Sequence, residues 1–166
     1  LGGDRSFAGT MCLGMDIDQK IDVVEALIEK AMAKSGSQRP VYISFDEWSG
    51  GANSLTGSLV LAQHLNSFIR HADIVKMANI TMLSSLVGTA PDGDFKNALY
   101  LAFHLYSNNS LGVSLDVYSN CEKYSNNVFK DVPYLDVTAV LNDAAKTLVV
   151  NVVNRHETNA LTADVV

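Results

Sequence analysis

The chain has 166 residues, enough for about one domain, and carries 12 Lys+Arg against 18 Asp+Glu for a formal net charge of -6. With 48% hydrophobic and 18% charged residues and a mean hydropathy of +0.12, it can bury a core and is not a disordered chain. The acidity and the lack of any Lys/Arg cluster argue against a nucleic-acid partner, and no stretch approaches the roughly 18 apolar residues of a membrane span.

Leu1-Gly2-Gly3-Asp4-Arg5 is neither an initiator methionine nor a signal peptide, and the first fifteen residues carry no periodic pattern. Ile17, Ile21, Val24, Ile28 and Ala31 then recur at steps of three or four. With Asp16 or Asp18 as cap and Gly36 past the end, they predict an amphipathic helix over about 17–35. After a polar break, Val41-Tyr42-Ile43-Ser44-Phe45 reads as a short strand buried on both faces, ending abruptly at Asp46-Glu47-Trp48. A flexible loop over 49–54 follows. Leu55, Leu59, Ala62, Leu65 and Ile69 predict a second helix to about His71, Ile74 to Ala78 a second strand, and Phe95 to Tyr106 a third helix.

This alternation is that of a parallel α/β architecture. Beyond Asn108-Asn109-Ser110 the pattern changes to β-rich runs at 113–118, 135–141 and 148–153, with Asn142-Asp143-Ala144-Ala145 as a hairpin loop. The last six residues, Leu161 to Val166, read as the opening of a further strand. Two parallel strands cannot close a barrel and would leave unpaired edges, so the chain is expected to belong to a longer protein. Cys12 and Cys121, far apart, form neither a disulfide framework nor a zinc ligand set. They favour a reducing, cytoplasmic setting, although the compartment stays open if the true N-terminus lies upstream.

The sharpest local feature is the carboxylate pair where a buried strand gives way to a Gly-rich loop. In parallel α/β folds catalytic groups sit at the C-terminal ends of strands. In a regular strand Asp46 and Glu47 point to opposite faces, so one at most faces a given cavity. Trp48 would supply a flat apolar wall suited to a sugar ring. The same three residues also fit a loop cap, a solvated charge and a core aromatic, respectively.

The segment Val41 to Trp48 as a whole resembles the nucleophile strand of the α-L-arabinofuranosidases of glycoside hydrolase family 51. Further landmarks follow in the same order: Phe68-Ile69-Arg70-His71-Ala72-Asp73 into Val75-Lys76-Met77-Ala78-Asn79, then 102–107, 132–137 and 152–156. The resemblance covers nearly all of the chain from about Ile17. It implies α/β plus all-β organisation: the C-terminal part of a (β/α)8 barrel (residues 1–107) followed by an incomplete antiparallel β-sandwich (residues 108–166). By the same carry-over, Glu47 is the catalytic nucleophile at the end of the seventh barrel strand, Trp48 contributes to substrate binding, and Val75 to Asn79 is the eighth strand. The family is retaining, using a carboxylate nucleophile and a carboxylic acid about 5 Å apart. No cofactor or metal is implied. The expected partner is an arabinose-containing oligo- or polysaccharide, and the full-length protein is expected to be a homo-oligomer.

Three features depart from that pattern. The acid/base, a Glu following an Asn in the family, has no counterpart before Glu47 and is expected upstream, so the 166 residues alone should be inactive. A Gln that helps hold arabinose in many members is replaced by Met82, and the usual Asn-Val-Trp after the motif tryptophan by Ser49-Gly50-Gly51. These changes keep open an endo-glucanase or xylosidase activity on the same scaffold, or a non-catalytic carbohydrate-binding role. His64 and His71 share a helix face, but no third ligand sits at metal spacing. His104 reads as a hydrogen-bonded residue of the barrel, and Asp136 and Arg155 as local structural pairs.

Overall fold

The computed structural model describes residues 6–166. A single turn, α1 (Phe7–Thr10), is capped by the Ser6 hydroxyl, which accepts from the Gly9 N–H. It leads into α2 (Leu13–Ser35), which starts four residues before the expected Ile17. Neither Asp16 nor Asp18 caps it: Cys12 stands at the N-cap, Asp16 lies within the first turn and pairs with Lys20 at 2.6 Å. Gly36 ends the helix as read, in the left-handed region at φ 68° that glycine adopts without steric cost. Of the predicted stripe, Ile17 and Ile21 are buried and Ile28 packs on the core, whereas Val24 and Ala31 are exposed.

Strand β1 is Ile43–Trp48, two residues later than its start in the sequence reading; Val41 and Tyr42 precede it and are half exposed. Helix α3 (Leu55–Arg70) is capped by Ser54, whose side chain accepts from the Gly57 N–H at 3.1 Å. It leads to β2 (Val75–Ile80), parallel to β1 in a two-stranded sheet. Next come a 3-10 turn (Leu83–Ser85) and an unforeseen antiparallel hairpin, β3 (Val87–Ala90) with β4 (Gly93–Lys96), before α4 (Ala98–Asn109). Phe95, expected to open the third helix, lies in β4. Helices and strand pair enclose a core of Ile17, Ile21, Ile43, Trp48, Leu61, Phe68, Val75, Leu86 and Leu99. No described helix is long and apolar enough to cross a membrane.

The second half forms a three-stranded antiparallel sheet, β5 (Val113–Leu115), β8 (Leu135–Asn142) and β9 (Thr147–Asn154), with β8 in the centre. A small pair, β6 (Lys123–Tyr124) and β7 (Val132–Pro133), precedes β8. The expected turn joins β8 to β9, with the Asn142 side chain accepting from the Ala145 N–H. The expected strand at 161–166 does not form; those residues have no regular structure. One face of the sheet is open, exposing Val113, Leu148 and Val152. The other rests on α3. That helix is buried on two sides, so Gln63, His64, Asn66 and Ser67 are as enclosed as Val60, Leu61 and Phe68. A single apolar stripe is the pattern of a helix with one solvated face, and α3 has little of one.

Candidate active site

The end of β1 is irregular in a way that matters. Phe45 pairs with Ala78 and Trp48 with Ile80, so three steps along β1 oppose two along β2. The extra residue is a bulge at Asp46-Glu47, facing Asn79. Bulges break the strict alternation of side chains and re-aim them. As a result Asp46 and Glu47 are both exposed, in a burial pattern of two consecutive open positions before buried Trp48. The regular-strand expectation, that only one of the pair faces a given side, is corrected by this bulge.

The two carboxylates differ in their ties. Asp46 Oδ1 accepts from the Ser44 hydroxyl at 2.5 Å and lies 3.5 Å from the Asn79 amide nitrogen on β2. Among the described residues Glu47 has no side-chain hydrogen bond or ion pair. Asp46 is thus an acceptor already engaged across the strand pair, and Glu47 a carboxylate open to a ligand.

Trp48 is placed otherwise than expected. It is 6% exposed, with its ring 4.9 Å from Phe68 in an edge contact, 6.3 Å from Phe103 in a stack and 6.2 Å from His64. The ring is a core anchor under the strand end, because the bulge sends Glu47 outward and returns Trp48 inward. Its carbonyl accepts from the Thr81 N–H at 2.8 Å, which ties the ends of β1 and β2 together.

The following loop, read as flexible, is packed. A side chain on Gly50 would stand 2.2 Å from the Gly57 carbonyl, and one on Gly57 1.8 Å from that of Ala52, so only glycines allow the loop to fold onto the start of α3. Asn53 reaches further, accepting from the Ala98 N–H at 2.6 Å and donating to Asn97 at 2.9 Å. Met82 follows β2 on the same side, 73% exposed and at φ 58°, where side chains are strained.

The remaining candidates fall elsewhere. His64 is buried in the core, and burial lowers its pKa to about 4. His104 is exposed, stacked on Tyr100 and in contact with the Asn108 amide at 3.0 Å. His71 lies 3.2 Å from Asp18, whose hydrogen bond raises the imidazole pKa. Asp136 and Arg155 do pair, at 3.3 Å with both side chains 4% exposed, but not merely locally. Arg155 also donates to Gln63 on α3 at 2.7 Å, Arg70 binds Asp136 at 2.6 Å, and Asn66 accepts from Tyr106 and Thr138 at 2.8 Å each.

A family model, the alpha-L-arabinofuranosidase C-terminal domain, matches residues 45–166, from within β1 through the whole sheet. The chain belongs to this family. An intracellular exo-alpha-(1->5)-L-arabinofuranosidase of Halalkalibacterium halodurans is 27% identical over 95% of the chain and 37% of its own length. A protein of the same description from Bacillus subtilis is 24% identical over 93% of the chain and 36% of its length. The solved structure of AbfB, a family 51 alpha-L-arabinofuranosidase from Bifidobacterium longum, superposes with a TM-score of 0.82 at 16% identity, over 91% of this chain and 36% of that one. The fold is therefore that of family 51. The chain spans a little over a third of the length of these arabinofuranosidases.

Proposed function

We propose that this chain is the nucleophile-bearing part of a retaining, exo-acting α-L-arabinofuranosidase that removes terminal arabinofuranosyl residues from arabinan or arabinoxylan. Residues 1–107 supply barrel elements and residues 108–166 the start of the sandwich. The observation that carries the reading is Glu47: an exposed carboxylate with no partner among the described residues, at the C-terminal end of a parallel strand and turned outward by a bulge, where β/α enzymes place their catalytic groups.

In this reading the Glu47 carboxylate attacks the anomeric carbon of the arabinofuranoside and forms a glycosyl-enzyme ester as the aglycone leaves. The acid that protonates the leaving oxygen comes from outside these residues and then activates the water that hydrolyses the ester. Asp46, held by Ser44 and Asn79, keeps the strand end in place, and Trp48 supports Glu47 from below as a core anchor.

The test is Glu47→Ala in the protein at its natural length. Hydrolysis of an aryl α-L-arabinofuranoside should fall to background, and azide should restore turnover by giving a glycosyl azide. A wild-type rate in that variant would refute the assignment. A panel of aryl arabinofuranosides, xylosides and glucosides then fixes the sugar, which matters because Met82 stands where a polar residue would contact it.

A further inference from the structure

We propose that Asp22, Glu25 and His71 form a binding site for one zinc ion, with Asp18 orienting the histidine. Sequence spacing alone gives His71 no third ligand; the packing of α2 against α3 supplies two. Asp22 and Glu25 stand three apart and so share a face of α2, while His71 follows the last residue of α3, its backbone N–H bonded to the Ser67 carbonyl at 3.0 Å. One ligand atom from each of the three lies within 4.8 Å of the other two.

The donor set selects the ion. One imidazole nitrogen with two carboxylates and a position left for water matches zinc, whereas magnesium and calcium take oxygen ligands. A separate observation concerns the imidazole itself. Its Nε2 is 3.2 Å from Asp18 Oδ1, and Asp18 is gripped by Arg70 at 2.9 and 3.0 Å. That leaves Nδ1 turned toward Asp22 at 3.9 Å, beyond hydrogen-bond reach. A carboxylate holding the far nitrogen of a ligating imidazole is the usual outer support of a metal-bound histidine.

Charge balance agrees. Arg70 and Arg155 answer Asp18 and Asp136, but among the described residues no Lys or Arg pairs with Asp22 or Glu25. A dication would neutralise both and pin α2 to the end of α3. The 16 residues of α3 span about 24 Å, which puts this site at the opposite end of the helix from the loop after Glu47. It is a brace, independent of the glycosidase reading.

Zinc titration into the chelator-treated protein at its natural length tests this, by calorimetry and by the unfolding midpoint. One zinc per chain should bind and raise the midpoint. Glu25→Gln, on the helix surface, and His71→Gln should each remove the midpoint increment, and Asp18→Asn should weaken zinc binding roughly 10- to 100-fold. Absence of stoichiometric binding, or wild-type affinity in Glu25→Gln or Asp18→Asn, would overturn the site.

Discussion

Glu47 and Asp136 are both strand carboxylates, and the chain treats them in opposite ways. Glu47 is exposed at a bulge with no partner among the described residues, whereas Asp136 is 4% exposed between two arginines. The Asp136 carboxylate meets Arg70 at 2.6 Å through one oxygen. Arg155 lies 3.3 Å from the other oxygen, as an ion pair without hydrogen-bond geometry. The nucleophile role proposed for Glu47 requires a carboxylate with a free lone pair. One meant to hold two layers together must spend its charge on cations already fixed in place.

The sharpest way to break this contrast is to exchange the readouts. Glu47→Gln should lose essentially all hydrolysis and shift stability by no more than about 0.5 kcal/mol, as for other exposed substitutions. Paired kinetics and thermal unfolding on one preparation check both halves. Asp136→Asn should do the reverse. Removing one member of a buried ion pair costs about 3–5 kcal/mol because the remaining charge is uncompensated, and here two guanidinium groups lose a partner. A midpoint within a degree or so of wild type would show that the seam between α3 and the sheet contributes little.

The two regions were also unequally legible in the sequence. Glu47 stands out in the sequence because a run of eight residues around it resembles the nucleophile strand of family 51, yet its exposure at the strand end depends on a bulge, a matter of register between β1 and β2 that neither segment reveals alone. The seam was hardly visible. Gln63, Asn66 and Ser67 look like the polar face of a surface helix, and only the sheet folded onto them makes them interior. Strands β8 and β9 were legible because apolar β-branched runs flank a turn-forming Asn-Asp. The β3–β4 hairpin was missed although Pro91-Asp92-Gly93 is a turn signal; its strands are four residues each, and Gly88 is open only to take the Phe95 ring, 2.3 Å from where a side chain would start. The shared polar contacts make the sheet and the α/β layers one packed body at α3.

His64 lies between the two regions, on α3 and against Trp48, and gives a pH test of how tightly they are joined. Burial lowers its pKa from 6.5 to about 4, so the unfolded chain takes up a proton that the folded chain refuses. The stabilisation is therefore fully present above about pH 6.5 and is lost as the pH falls toward 4, by on the order of 3 kcal/mol. His71 runs the other way: its pKa is raised by the Asp18 hydrogen bond, so it favours the folded state at low pH and loses that contribution as the pH rises past its folded pKa. His64→Phe isolates the first effect. The fall in unfolding free energy between pH 7 and 5 should shrink in the variant, and an unchanged slope would mean the imidazole reaches solvent in the native state.

The smallest expected effect joins the cap of α3 to the strand that carries Glu47. Ser54→Ala removes the side-chain acceptor of the Gly57 N–H and should cost about 1 kcal/mol, as for other N-caps, with Ser54→Asp recovering most of it. Gly50 and Gly57 hold the loop after Trp48 against this first turn with no room for a side chain, so fraying there would loosen the end of β1. A loss of kcat in Ser54→Ala at a temperature where the protein is fully folded, recovered in Ser54→Asp, would show that the cap fixes the aim of Glu47. A loss of stability with unchanged kcat would show that the bulge and the Thr81–Trp48 backbone bond hold the strand end by themselves.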